Sequence, residues 1–241
     1  FPIIISMIIL SLYNIVDSMY VSQINEQALT AVSLVFPMQN LMISVAIGTN
    51  IGVNALLSRA LGARQFDRVR RIAQQAIFLI GVCYIIMASI LYLAAPGFIG
   101  LQADDPLIYE YGVTYMRICS VLSIGVFVQV CMERLLTATG KTVYTMISQA
   151  TGAIINIIMD PILIFGYGPF PEMGVAGAAA ATIFGQIIAG IIGICFNLRV
   201  NKEIRLSLKG FRPDGKLIGE IYRIGVPSIV LQSIGSIMTF G

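Results

Sequence analysis

Seven apolar runs, each long enough to cross a lipid bilayer, fill most of this chain: roughly residues 1–21, 29–57, 72–95, 107–136, 143–167, 174–198 and 217 onward. A helical span needs about 20 such residues. In hydrocarbon only helices and closed barrels satisfy every backbone donor and acceptor. The runs are continuous instead of alternating, and they exceed the roughly 9–11 residues of a barrel strand. The sequence therefore predicts an all-α fold, a polytopic membrane helical bundle. Composition agrees: 11% of the residues are charged and 57% hydrophobic, against about 25% charged in an ordinary soluble domain. The first and last runs meet the ends of the chain at Phe1 and Gly241. A fragment cut at both ends is expected, not a chain with a signal peptide.

The connections alternate in charge. The second carries Arg59, Arg64, Arg68, Arg70 and Arg71; the fourth carries Arg134 and Lys141; the sixth carries Arg199, Lys202, Arg205, Lys209, Arg212 and Lys216. The other three carry Glu26, then Asp104 and Asp105, then Glu172, with no Lys or Arg. The positive-inside rule places the basic connections and the amino terminus in the cytoplasm. Their basicity is read as topology and contact with anionic lipid, with no nucleic-acid partner expected. Residues 58–71 read as a short surface connector with a break at Gly62. Arg117, inside the fourth run, is expected to snorkel outward. The predicted organisation is a six-helix amino lobe over 1–198, a basic connector over 199–216, and the start of a second lobe, a truncated seventh helix, over 217–241.

With no histidine in the chain, His-based catalysis and His metal sites are excluded within it. Cys83, Cys119, Cys131 and Cys195 lie in apolar runs without CxxC spacing and read as buried small hydrophobes. The sixth run opens Gly174-Val-Ala-Gly-Ala-Ala-Ala-Ala-Thr182-Ile-Phe-Gly185, a small-residue face that permits close helix approach in lipid. Ile224-Gly-Val-Pro227 opens the seventh run much as Phe1-Pro2 opens the first, an echo of the internal repeats common in transporters.

Two carboxylates stand inside these runs. Asp17 follows Asn14 by three residues, and Asp160 follows Asn156 by four, so each acid has an amide near its own helix face. Pro161 removes a backbone donor just after Asp160 and loosens the helix there. Both helices run in the same direction. Asp17 lies about 22 Å along the first from Pro2 and Asp160 about 24 Å along the fifth from Tyr144, so the two acids share a depth in the outer part of the membrane. An ionisable residue in hydrocarbon is a functional-site hypothesis by default. Two such acids side by side cannot both stay charged cheaply, which suits a proton or sodium carrier.

The ordered set Asn14-Ile-Val-Asp17-Ser-Met-Tyr, Ala28-Leu-Thr-Ala-Val-Ser-Leu-Val-Phe-Pro37, Ser58-Arg-Ala-Leu-Gly62, Asn156-Ile-Ile-Met-Asp160-Pro161 and Gly174 to Thr182 resembles the multidrug and toxic compound extrusion (MATE) transporters. The resemblance implies one lobe and the start of the next from a twelve-helix carrier, monomeric when full length, in the bacterial inner membrane. Such a carrier is not an enzyme and holds no cofactor. It exports cationic or amphipathic organic compounds in exchange for H+ or Na+. Asp17, Asn156, Asp160 and Thr182 match the family's amino-lobe polar cluster and would hold the ion if it is sodium, with Asn14 beside them. Pro2 and Pro161 are the expected helix bends. The loop Gly166–Met173 appears in the sequence as longer than in shorter members. A lipid-linked oligosaccharide flippase of the same superfamily is the alternative, although it would line its cavity with basic residues. An intramembrane aspartyl protease also uses two aspartates but needs them about 3 Å apart sharing a proton; the Ile157-Ile158-Met159 before Asp160 lacks the Gly-x-Gly-Asp motif typical of such enzymes.

Overall fold

A computed structural model describes residues 2–167, 170–204 and 211–238, and among these it contains eight helices and no strand. They are α1 (Pro2–Ser22), α2 (Glu26–Gly62), α3 (Phe66–Gly100), α4 (Pro106–Val121), α5 (Ile124–Ala138), α6 (Thr142–Phe165), α7 (Val175–Arg199) and α8 (Gly215–Met238). Seven spans become eight helices because the fourth apolar run is broken: α4 and α5 meet at a 47° bend. The cause is a local competition for carbonyls. Ser120 and Ser123 donate to the carbonyls of Met116 and Ser120 at 2.6 and 2.8 Å, and the Tyr84 hydroxyl of α3 donates to that of Val121 at 2.7 Å. Side chains inserted into the hydrogen-bond ladder are an established source of sharp kinks.

The connector expected over residues 58–71 is mostly helix. α2 does end at Gly62, but α3 starts at Phe66, leaving only Ala63, Arg64 and Gln65 between them, with Arg64 at a φ of 54°. Arg117 stacks on Tyr92 of α3, its guanidinium carbon 5.1 Å from the ring centroid, instead of simply reaching outward. Cys195 is exposed, unlike the three buried cysteines.

Hydrogen bonds knit the basic connections together at one end of the bundle. Lys141 donates to Asn201 at 3.3 Å and lies 3.9 Å from Glu203, and Arg68 pairs with Glu220 at 2.7 Å. Asn197 donates to the carbonyls of Met132 and Gly193, and Asn201 to that of Leu135, which clasps α7 to α5. At the far end Tyr20 of α1 meets Phe165 of α6 edge to face, 6.4 Å between centroids, so these two helices run parallel and end together.

Close packing comes from residues without side chains. On α2, a Cβ added at Gly52 would collide with the Ile221 carbonyl of α8, and one added at Gly48 with Ile229. The predicted seventh span, α8, is thus seated against α2, while Phe78 and Gln75 of α3 hold Phe211 and the Arg212 carbonyl of the connector. Positions 205–210 and 239–241 of the predicted connector and last span fall outside the described residues. α1 is the most peripheral helix: it rests mainly on α6 and leaves Ile4, Met7, Ile8, Leu10 and Ile15 exposed.

Candidate functional site

α6 and α7 build the floor of the site. Gly152 and Gly185 face each other so closely that a Cβ on Gly152 would lie 2.9 Å from the Gly185 carbonyl oxygen, and one on Gly185 2.6 Å from that of Gly152. That crossing is one turn from Asn156 and brings it beside Thr182. α6 stays helical through Pro161 to Phe165 and is capped by Gly166 at a φ of 71°. Beyond it, the amides of Met173 and Gly174 return to the carbonyls of Leu163 and Ile164, both at 3.1 Å, so the loop restores hydrogen bonds at the helix end.

Asn156 donates through Nδ2 to Asp160 Oδ1 at 3.5 Å and to Thr182 Oγ1 at 3.3 Å. Asp160 is fully buried, Asn156 and Thr182 nearly so, and Asp17 half-buried. The carboxyl groups of Asp17 on α1 and Asp160 on α6 face each other. A carboxylate only accepts, so a direct bond between two of them needs a proton on one. Asp17 Oδ1, Asp160 Oδ2 and Asn156 Oδ1 are buried with no donor. These are hard oxygen acceptors in one place, and an unpaired buried acceptor is costly. Such a set fits a proton or a small hard cation such as sodium and does not suit a soft metal.

The structure brings Asp17, Asn156, Asp160 and Thr182 together and leaves Asn14 out. Asn14 is exposed, and its Nδ2 turns back to the Leu10 carbonyl at 3.0 Å. The residue of α1 that shares the face of Asp17 is Tyr13, four before it and half-buried, with its hydroxyl near Thr182. The spacing of four was the available signal, the same one that pairs Asn156 with Asp160. On α4, Tyr115 and Cys119 are buried, and Gln39 of α2 donates to Cys119 Sγ at 3.3 Å. Pro2 is the first described residue of α1, so a bend on its amino-terminal side lies outside the described residues.

Helices long and apolar enough to cross a membrane, packed through glycine around two carboxyls, an amide and a hydroxyl, define a polytopic membrane protein. The family model described as MatE matches residues 2–162, and the chain belongs to this family. It is 33% identical over 184 residues to the FAD transporter of Shewanella oneidensis, covering 73% of this chain and 39% of that protein. It is 26% identical over 231 residues to the multidrug export protein MepA of Staphylococcus haemolyticus, covering 95% of this chain and 50% of that one. A multidrug resistance MATE family transporter of the MOP superfamily, solved outward-facing, superposes with a TM-score of 0.90 at 26% identity, over 99% of this chain and 52% of its own. A MATE solved in a bent conformation gives 0.88 at 26% identity, over 100% and 53%. The chain thus spans about half the length of these relatives, which are named as transporters and export proteins, not enzymes.

Proposed function

We propose that this chain forms the amino-terminal lobe of a secondary multidrug efflux antiporter, and that Asp17 and Asp160 bind its coupling ion, H+ or Na+. The observation that carries this reading is the cluster of three buried oxygens without a donor, Asp17 Oδ1, Asp160 Oδ2 and Asn156 Oδ1, two of them on carboxyls that face each other. One monovalent cation satisfies those oxygens and neutralises the pair. Loss of that cation restores repulsion between the acids and drives α1, the loosely held helix, to a second position. A cationic, amphipathic drug competes for the same charge, which couples the two fluxes. The charge of the connections supports an amino terminus on the cytoplasmic side, and the bacterial relatives support a bacterial inner membrane. Lipids surround the lobe, and the full-length carrier works as a monomer.

The test is efflux of a cationic dye by the full-length transporter, with surface expression measured in parallel. Asp160→Asn and Asp17→Asn are nearly isosteric, and an amide is easier to bury than an ionised acid. Each is expected to insert normally and to lose ion-driven efflux; full efflux by both at normal expression refutes the reading.

A second reading follows from the relative named as an FAD transporter. An anionic cargo would not compete for the carboxyls and would be coupled only through the movement of α1. Transport of FAD by the full-length protein in proteoliposomes, with no displacement of a bound cationic dye by FAD and no export of organic cations, would favour it.

A further inference from the structure

We infer that Glu133, with Gln129 and Gln149, is a second station for the coupling cation, set in the basic-loop half of the lobe and in line with Asp160 along α6. This inference rests on the reading of Asp17 and Asp160 as the first station.

Glu133 lies five residues before the end of α5 and is buried, at 7% exposure. Its two carboxyl oxygens are each held by one amide: Oε1 by Gln129 Nε2 at 2.9 Å and Oε2 by Gln149 Nε2 at 2.7 Å. Thr137 and Thr145 spend their hydroxyls on the Glu133 carbonyl, at 2.8 and 3.4 Å, leaving the carboxyl to the amides. Neither donor carries charge. Among the described residues the charged group that acts on Glu133 is Arg134, the next residue of its own helix. Among the described residues no ion pair reaches Glu133 from α2, α3, α6 or α7. A purely structural tie between α5 and α6 needs no acid, because a glutamine at 133 would accept from one amide and avoid burying a charge. An ionisable group kept in a span on neutral donors can be charged or protonated in place, as a carrier of cations requires.

The second argument is alignment. Gln149, Ala153, Asn156 and Asp160 recur at four, three and four residues along α6, so they share one face. The opposite face, with Val143, Ile147, Ile154 and Ile158, is exposed. Gln149 and Asp160 are eleven residues apart on that face, about 16 Å along the helix. The same stripe that carries Asp160 therefore carries the ligand of Glu133, one station towards each end of the lobe. The stations do not touch. They are occupied in turn, the carboxyl pair when the lobe is open to the far side and Glu133 when it is open to the side of the basic loops. The step at Glu133 is simple association: the carboxylate takes a proton or coordinates a sodium ion through Oε1 and Oε2, then releases it.

The experiment uses the full-length transporter in proteoliposomes, comparing Glu133→Gln, Glu133→Asp and Asp160→Asn with the parent. Three quantities are read: dye efflux driven by an imposed pH gradient, the same driven by a sodium gradient, and dye–dye exchange without any gradient. Glu133→Gln is expected to lose at least about tenfold of gradient-driven efflux while keeping dye–dye exchange. Glu133→Asp, which keeps the titratable group, is expected to retain gradient-driven efflux with a shifted dependence on pH or sodium. The gradient that fails in Glu133→Gln identifies the cation. Equal behaviour of the Gln and Asp variants, whether both are active or both fail, overturns the inference and leaves Glu133 a packing residue. Gradient-driven efflux by Asp160→Asn instead strikes the first station, so the two failures are distinguishable.

Discussion

Asn156 on α6 and Thr182 on α7 are joined at 3.3 Å only because Gly152 and Gly185, one turn away on the same two helices, meet with no side chain between them. The chemistry of the site therefore depends on a contact that contains no functional group.

Replacing Gly185 with Val should test this dependence. A Cβ there would lie 2.6 Å from the Gly152 carbonyl oxygen and 3.1 Å from Asn156 Cβ. Overpacking of this kind costs about 1–3 kcal/mol. Thermal unfolding in detergent should show the loss, and ion-driven efflux should fall with it. Gly62→Ala, where nothing lies within 4 Å, serves as the control and should leave both unchanged.

The two aspartates should behave as one unit. If a single cation is shared between Asp17 and Asp160, removing either acid already removes the bound ion. The double variant Asp17→Asn with Asp160→Asn should then be no slower than the worse single variant. Effects of the two substitutions that multiply would indicate separate sites.

Tyr13 and Asn14 are neighbours with opposite expectations. Tyr13→Phe removes a hydroxyl that lies near Thr182, and a roughly fivefold loss of efflux rate, equivalent to about 1 kcal/mol, is expected. Asn14→Leu should leave the rate unchanged, since that amide only returns to its own helix. Initial rates of dye efflux at matched expression decide between them.

Topology is open to cysteine labelling in intact cells, in a background with Cys83, Cys119, Cys131 and Cys195 replaced. Arg64→Cys is expected to resist an impermeant reagent added outside, and Asp104→Cys to react. The opposite pattern inverts the orientation.

The seam between α2 and α8 predicts a cross-link. A Cβ at Gly225 would lie 3.5 Å from Thr49 Cα, so Thr49→Cys with Gly225→Cys should oxidise readily in the same background. Adding Gly52→Leu should abolish the cross-link by pushing Ile221 and its helix away. A persistent cross-link would show that α8 is held by something else.

Span number and two of the polar side chains gathered around Asp160, Asp17 and Asn156, were readable because each rests on local rules: run length, a carboxylate inside an apolar run and a helical spacing of four. Thr182 was readable only through the resemblance, because its role depends on where α7 crosses α6. The break at Leu122–Ser123 was not readable. It depends on Tyr84, which lies 37 positions before Val121 in sequence, and neither serine is a breaker by itself. Glu133 was overlooked for a related reason. Near the end of a run and followed by Arg134, it looks like part of a basic loop, and only the folded contact with Gln149 shows it to be buried. Asn14 misled because amide chemistry was weighed above helical phase, whereas Tyr13 had the better phase.

The seating of α8 against Gly48 and Gly52 carries a consequence for anyone altering this chain. In lipid the surrounding tails are as oily as the helices, so shape alone tells α8 where to rest. Oily surface residues such as Leu10 or Leu93 can be exchanged among themselves with little effect. The intolerant positions are blank ones, where a single added methyl group would unseat a helix. A mutational map of this lobe would therefore show its deepest scars at glycines, tracing which helices touch even before any aspartate is tested.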